Sequence, residues 1–254
     1  MTLTEKHLIS VVMPAYNAEK HIAAAIESVI AQTYTNWELI IINDCSADNT
    51  FEIAQQFAAG EPRIKVLDNA ENLGVAKTRN KGLDAATGSW VALLDSDDIW
   101  HSDKLEKQLE TANSTGADII YCSYGMIDEN GAKLLDDFTV PEETDFEKSL
   151  VVSVISCSTV MLSHKIASVY RFTTDFYHED LVYWLDALKQ GYKAAGVTEV
   201  LAQYRVAKGS RASNKLKSAY NRWVIFRKHL KLPLPQSISC IMQYAFAGLR
   251  KYSR

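Results

Sequence analysis

WVALLDSDDIW, residues 90–100, begins as an apolar run typical of a buried strand and ends in three carboxylates within four positions. Carboxylates this close repel one another, and water solvates them better than a protein interior does. The residues leave three interpretations open. The acids can begin a helix and favour its dipole, they can bind a metal ion, or one of them can be the aspartyl nucleophile of a phosphatase. The metal site is favoured, since the phosphatase motif belongs on an early strand.

The composition indicates a folded protein with one large core. The 254 residues are 47% hydrophobic, and 11 Gly and 5 Pro are too few for a fibrous or disordered chain. Four cysteines lie far apart without CxxC spacing, so we expect reduced thiols in a cytosolic protein. The first eight residues lack a signal-peptide pattern, and no apolar run reaches the roughly 18 residues of a membrane span.

Charge is divided unevenly along the chain. The net charge is −4, yet residues 200–254 contain twelve Lys and Arg residues and no acid, so residues 1–199 carry −16. A basic tail on an acidic body indicates an anionic partner for the tail, unless the tail is simply a solvated helix. We expect a membrane surface or a phosphate-bearing substrate as this partner, and no nucleic acid.

Strand-like and helix-like segments alternate through the first half of the chain. The predicted strands are 8–14, 38–44, 63–69, 89–95 and 117–124, and the predicted helices are 18–33, 50–59, 75–86 and one from about Asp103. This alternation predicts a mostly parallel sheet with helices on both faces. Ligands bind at the carboxyl ends of the strands in such sheets, where Tyr16, Asn17, Asp44 and Asp95–Asp98 would gather.

After about residue 125 the pattern changes, and a hairpin is predicted around Asn130-Gly131. The other predicted elements are a strand at 156–163, a helix at 178–191, one long strand or a strand pair at 194–206, and helices at 213–231 and 236–251, broken by Pro233 and Pro235. Ile238, Ile241, Met242, Ala245 and Leu249 form one apolar stripe of the last helix. That stripe predicts contact with a membrane interface, with the catalytic domain or with a second subunit.

The ordered motifs resemble a known family. The segments SVVMPAYN, NLGVAKTRNKG and LLDSDDIW, followed later by HED, are similar to those of family 2 inverting glycosyltransferases with the GT-A nucleotide-sugar fold. The resemblance covers roughly residues 8–206 and is nearest to bacterial enzymes of surface polysaccharide assembly (teichuronic acid, capsule, O-antigen). It implies a GT-A catalytic domain at 1–206, with a nucleotide-sugar half at 1–124 and an acceptor half at 125–206, and a basic helical extension at 207–254.

The resemblance implies transfer of a sugar from a nucleotide-sugar, often a UDP-sugar, with inversion and with Mn²⁺ or Mg²⁺ held by the DxD motif. The implied acceptor is a glycan, commonly on polyprenyl diphosphate at the cytoplasmic membrane face. We therefore expect a cytoplasmic protein, with peripheral membrane contact through residues 208–254 or a homodimer contact there. A metal-dependent phosphatase and a non-catalytic sugar-nucleotide-binding protein remain the alternatives.

The resemblance also implies roles for individual residues. Asp97 is expected to bind the cation, and Asp180 of the Glu-Asp pair to take the proton of the acceptor hydroxyl. The residues expected to contact the nucleotide are Pro14, Ala15, Tyr16, Asn17, Glu19, Asp44, Arg79, Asp95 and Ser96. Tyr16 offers an aromatic face to the base, and Asp44 can accept the N3–H of uracil.

Two positions depart from the family pattern. Asn43 stands where relatives often have a second Asp beside Asp44. Ala207 stands where relatives often have a His near the metal and diphosphate, so that contact is expected to be missing or to come from Lys208, Ser210 or Arg211.

Overall fold

The computed structural model describes residues 7–206 and 215–251, and within these ranges the strands form one mixed sheet. The strands are β1 (Ile9–Ala15), β2 (Trp37–Asn43), β3 (Ile64–Asp68), β4 (Trp90–Leu93), β5 (Ile99–Trp100), β6 (Ile119–Ile127), β7 (Lys133–Phe138), β8 (Glu143–Thr144), β9 (Met161–Ser163) and β10 (Ala194–Arg205). The helices are α1 (Ile22–Ile30), α2 (Thr50–Gly60), α3 (Val75–Ala85), α4 (Lys104–Thr115), α5 (Phe146–Val151), α6 (His164–Ala167), α7 (Glu179–Lys189), α8 (Lys215–Val224) and α9 (Leu234–Lys251).

The sheet has the strand order β3-β2-β1-β4-β9-β6-β10-β5, with β7 against β6 and β8 against β10. The longer ladders are parallel and join β1 to β2 and β4, β2 to β3, and β6 to β10. The short strands β5, β7, β8 and β9 pair in the antiparallel sense. The predicted mostly parallel α/β fold is confirmed, with antiparallel strands added where the chain enters its second half.

Side chains alternate between the two faces of the sheet, because successive residues of a strand point in opposite directions. Ile9, Val11 and Met13 of β1 pack with α1, α2 and α4, whereas Val12 packs on the other side with α3 and α7. Burial on both faces explains why these strands are continuous apolar runs.

Helix α3 lies unusually close to the sheet at Gly82. A Cβ atom there would lie 2.3 Å from Cγ1 of Val12 and 2.7 Å from Cδ1 of Ile42. Only glycine permits this approach, which fixes the position of Arg79 one helical turn earlier.

Several local predictions need correction. The strand predicted at 156–163 is a 3₁₀ turn at Cys157–Thr159 followed by β9, and β5 was not predicted. Polar contacts with β5 hold this turn. The backbone carbonyl of Ser158 accepts a hydrogen bond of 2.7 Å from the Trp100 indole N–H. Of the two alternatives for 194–206, the structure has one long strand. The predicted hairpin around Gly131 is confirmed. Pro235 does not break the last helix but lies in the first turn of α9, where a missing N–H costs little.

The C-terminal helices pack on the second half of the chain. The contact is a separate apolar cluster formed by α5, α7, α9 and the π-helical turn Ile225–His229, and it contains Leu150, Leu181, Val182, Leu185, Ile225, Phe226, Leu230, Leu232 and Cys240. Of the predicted α9 stripe, Ile241 packs against this cluster, whereas Ile238, Met242 and Ala245 are exposed. Leu249 and the predicted diphosphate contacts Lys208, Ser210 and Arg211 lie outside the described side chains. No helix of the described ranges is both long and apolar enough to cross a membrane.

Candidate active site

A cleft of about 760 Å³ opens at the carboxyl ends of β1, β2 and β4. Nine of the predicted site residues line it: Pro14, Ala15, Tyr16, Asp44, Arg79, Asp95, Ser96, Asp97 and Asp180. The structure therefore brings two acidic segments into one cavity. The first is Asp95–Asp98 after β4, which we call the acidic turn, and the second is the Glu-Asp pair of α7. Tyr16 is 53% exposed, so its ring is available to a planar ligand.

Asn17 and Glu19 were predicted to contact the nucleotide, and the structure does not place them in this lining. The Asn17 side chain accepts a hydrogen bond from the backbone of Ala47, and Glu19 accepts two from Asn49. Asn17 also has a positive φ of 48°, a conformation that asparagine tolerates better than most residues. Both residues thus join the loop after β1 to the loop after β2.

Asp44 is buried at the end of β2 and organises the loop before α3. Its carboxylate accepts hydrogen bonds from the backbone N–H groups of Leu73 and Gly74 and from the Asn69 amide, all 2.8–2.9 Å long. Burial raises the pKa of Asp44, but these bonds outweigh it and hold the pKa below its usual value. Asp44 is therefore ionised and immobile, as a selective hydrogen-bond acceptor must be.

Arg205, the last residue of β10, holds the acidic turn through hydrogen bonds. The Arg205 backbone N–H donates to Oδ1 of Asp98 (2.8 Å), and its Nε donates to the carbonyl of Asp97 (2.8 Å). The Ser158 hydroxyl accepts from the backbone N–H of Asp95 at 3.1 Å. The turn is thus rigid although its acids repel one another.

The acids of this turn differ in their environment. Asp98 is fully buried, and burial together with repulsion from Asp97 and Asp95 raises its pKa well above the usual value. Desolvation and the charge of Asp95 raise the pKa of Asp97 to about 6. Asp97 faces the cleft and has no salt-bridge partner within the described ranges.

Arg79 joins the two halves of the cleft. Its guanidinium contacts Asp95 at 2.6 Å and Glu179 at 3.1 Å, and its side chain is only 6% exposed. Burial lowers the pKa of Arg79, but the two carboxylates more than offset this and raise it further above its already high ordinary value. Because Asp95 is ion-paired in this way, it is poorly suited to be the nucleophile of a phosphatase.

Asp180 is the second residue of α7 and faces the cleft beside this bridge. Its Oδ1 accepts a hydrogen bond from the backbone N–H of the next residue, Leu181, at 2.8 Å. The residue that caps α7 is His178, without a side-chain capping bond, so Asp180 does not serve as the N-cap. One carboxylate oxygen of Asp180 is thus positioned, and the other has no hydrogen bond within the described residues.

The donor set suits a divalent cation that also binds phosphate oxygens. Desolvation and Asp95 raise the pKa of Asp97 more than the charges of Arg205 and Arg79 lower it, and a metal ion bound there would favour the ionised carboxylate. Within residues 7–206 and 215–251, no cluster of three or more metal-ligating side chains exists. Hard cations such as Mg²⁺ commonly take only one or two carboxylates and complete their shell with substrate phosphates.

Two further lining residues, His178 and Glu179, belong to the HED motif that the sequence analysis singled out without giving them a role. The lining residues that it missed are Asn72, Gly74, Val75, Thr78, Ser156, Cys157, Tyr177 and Tyr204. Gly74 carried a usable signal, because a glycine directly before a helix permits the positive φ of 80° that the chain adopts there. Ser156 and Cys157 carried none, since only the fold brings the 3₁₀ turn to β4.

The sequence of this chain matches a known family and curated relatives along most of its length. Residues 10–168 match the family model described as Glycosyl transferase family 2. The chain is 37% identical to the putative teichuronic acid biosynthesis glycosyltransferase TuaG of Bacillus subtilis, with 97% of this chain and 98% of TuaG aligned. It is 35% identical to the UDP-Glc:alpha-D-GlcNAc-diphosphoundecaprenol beta-1,3-glucosyltransferase WfgD of Escherichia coli, over 98% and 96% of the two chains.

Solved structures share the fold at low sequence identity. S. aureus TarS in complex with UDP-GlcNAc superposes with a TM-score of 0.73 at 19% identity, covering 93% of this chain and 71% of TarS. The mannosyltransferase PcManGT from Pyrobaculum calidifontis, in complex with GDP-Man and Mn²⁺, gives 0.71 at 17% identity, covering 96% and 70%. Both likenesses concern the architecture of the chain.

Proposed function

This chain belongs to glycosyl transferase family 2, and we propose that it transfers one sugar from a UDP-sugar to a lipid-linked glycan in bacterial surface polysaccharide synthesis, with inversion. The observation that carries the proposal is the Arg79 bridge, which joins the acidic turn to the Glu179–Asp180 pair within one cleft. A donor and an acceptor can meet between them. WfgD, similar over nearly its whole length, takes UDP-Glc and a diphosphoundecaprenol-linked sugar, which supports both substrate classes.

The donor half is assigned to residues 1–124. The Tyr16 ring stacks on the base, and the ionised Asp44 accepts the N3–H of uracil, which cytosine lacks. Asp95, oriented by Arg79, accepts from the ribose hydroxyls. These contacts together favour UDP over other nucleoside diphosphates.

Asp97 is the residue that would hold Mn²⁺ or Mg²⁺, together with the oxygens of the diphosphate. Such a cation neutralises negative charge on the leaving nucleoside diphosphate. The chain itself supplies a rigid turn, because Arg205 and Ser158 hold the backbone on both sides of Asp97. The backbone on both sides of Asp97, the residue that would hold the cation, is therefore tied to neighbouring parts of the fold.

The acceptor half is assigned to residues 125–206, with Asp180 as its catalytic residue. Asp180 takes the proton of the acceptor hydroxyl, a step worth about 10²–10⁴ in rate for a well-placed carboxylate. The acceptor oxygen attacks the anomeric carbon from the side opposite the diphosphate, so an α-linked donor gives a β linkage. Glu179 is paired with Arg79, which leaves Asp180 as the base.

The test is a donor screen that follows release of the nucleoside diphosphate. We expect UDP release from one UDP-sugar, dependent on a divalent cation and stimulated by a lipid-linked acceptor. Asp180→Asn should bind UDP normally and lose about 10²-fold or more in kcat. Asp175→Asn is the matched control, since Asp175 is exposed five residues earlier.

Two outcomes would reject the proposal as a whole, and a third would reject the role given to Asp180. Release of inorganic phosphate would identify a phosphatase. UDP binding without turnover on any acceptor would identify a sugar-nucleotide-binding protein. Equal loss of UDP affinity in Asp180→Asn would show that Asp180 has a structural role.

A further inference from the structure

The first thirteen residues of helix α9 carry no charge, including those on its exposed face. Residues 234–246, LPQSISCIMQYAF, contain no Lys, Arg, Asp or Glu. Ser237 and Cys240 are buried against the rest of the protein, and Ile241 is half-buried. The opposite side of α9 carries Leu234, Ile238, Met242 and Phe246, which we call the α9 ridge. A solvated helix face ordinarily carries charges, so this composition needs another explanation.

The α9 ridge is continuous, because its members are spaced four residues apart and residues at i and i+4 are neighbours on a helix. Their exposed fractions are 51% for Leu234, 45% for Ile238, 67% for Met242 and 58% for Phe246. Helix α9 is therefore anchored by one side and presents large apolar side chains on the other.

The charge of the surrounding chain identifies the partner chemistry. Arg227, Lys228 and Lys231 are exposed just before α9, and Arg250, Lys251 and Arg254 follow in the sequence. No acidic residue occurs after Glu199. An uncharged apolar ridge between groups of cations is complementary to an anionic lipid surface, in which apolar side chains enter the acyl boundary and cations meet headgroups.

The C-terminal helices that carry the α9 ridge also contact a residue of the cleft. Nζ of Lys217 in α8 lies 4.5 Å from the ring centre of Tyr177, and Tyr177 lines the cleft. Helix α9 packs against α8, with the Tyr244 ring 4.4 Å from the Arg222 guanidinium. Helix α9 is therefore packed on elements of the acceptor half, and a membrane bound by its outer face would lie on that side of the protein.

We infer that the α9 ridge sits in the interface of an anionic bilayer and holds the protein at the membrane surface without spanning it. The inference deepens the proposed function and rests on it only in taking the acceptor to be lipid-linked. The protein collects its acceptor by moving in two dimensions along the membrane that contains it.

The test is flotation of the full-length protein with vesicles of phosphatidylcholine, with and without phosphatidylglycerol, in the absence of nucleotide. We expect binding that requires phosphatidylglycerol and weakens in high salt. Met242→Glu should weaken vesicle binding about tenfold or more, because a carboxylate replaces an apolar side chain in the acyl boundary. Met242→Trp should strengthen it.

The matched control is Gln243→Glu, which adds the same charge one residue away, to a polar position beside the ridge. It should change vesicle binding by about twofold at most. Thermal unfolding and UDP release without lipid should be the same for all variants, so a failure of the proposed function would appear in UDP release and a failure of this inference in flotation.

Three results would overturn the inference. The first is an intact protein that does not float at low salt. The second is an equal loss for Met242→Glu and Gln243→Glu. The third is a dimer in lipid-free solution that Met242→Glu converts to monomers, which would make the α9 ridge an interface between two copies of the chain.

Discussion

Asp97→Asn should remove activity and at the same time stabilise the metal-free protein. Desolvation and the neighbouring Asp95 raise the pKa of Asp97 from 3.8 to about 6, so the folded state disfavours the charged form. A rise of this size in the pKa corresponds to about 3 kcal/mol at neutral pH. Asp97 is partly open to the cleft, so we expect a gain of roughly 1–3 kcal/mol in the free energy of unfolding.

The pH dependence follows from the sign of this shift. Above pH 6, Asp97 is ionised in both states and its charge destabilises the folded wild type. As the pH falls from about 6 towards 3.8, the folded state takes up the proton first and the cost disappears. The advantage of Asp97→Asn should therefore be largest at neutral pH and vanish near pH 4.

Urea denaturation with EDTA, at several pH values, measures this difference. Asp175→Asn is the matched control because its carboxylate is exposed, and it should change the free energy of unfolding by less than about 0.5 kcal/mol. Added Mn²⁺ should stabilise the wild type and leave Asp97→Asn unchanged. A variant less stable than wild type at neutral pH, or a difference that is the same at all pH values, would refute the reasoning.

The remaining predictions concern the supports of the cleft. Arg79→Met should lower the free energy of unfolding by roughly 1–4 kcal/mol, because it leaves two half-buried carboxylates without their cation. Adding Glu179→Gln should recover part of that loss in a double-mutant cycle, and simple additivity would contradict the bridge. Gly82→Ala should cost about 1–3 kcal/mol and reduce turnover, since its Cβ collides with β1; an unchanged enzyme would contradict the close approach. Burial lowers the pKa of Lys104 to about 8, so wild-type stability measured relative to Lys104→Met should rise with pH from about 8 to 10.5. A flat difference would show that Lys104 is solvated.

Local sequence patterns predicted the first half of the fold well. Strands β1, β2 and β4 are almost wholly buried, so each is a mostly apolar run that is followed by polar residues such as Asp44 or Asp95. The end of a run marks the carboxyl edge of the sheet, and the cleft could therefore be located from sequence.

The contacts that complete the cleft could not be read from sequence, because they join distant parts of the chain. Arg79 is predicted to contact the nucleotide and lines the cleft, but the sequence did not reveal that its guanidinium pairs with Asp95 and Glu179. Asn17 and Glu19 follow the first strand as ligand-binding residues do, yet their side chains bind the adjacent loop. Neither periodicity nor spacing reports which partner a polar side chain will find.

The position of Arg205 late in the chain determines when the cleft can assemble during synthesis. Its hydrogen bond to Asp98 links residues 107 positions apart, and the Arg79–Glu179 bond links residues 100 positions apart. A ribosome releases the chain from its N-terminus, so the acidic turn emerges long before the residues that bury and orient it. The growing chain carries the acids of this turn in water until β10 has been synthesised, so the cleft is assembled only when most of the protein has been made.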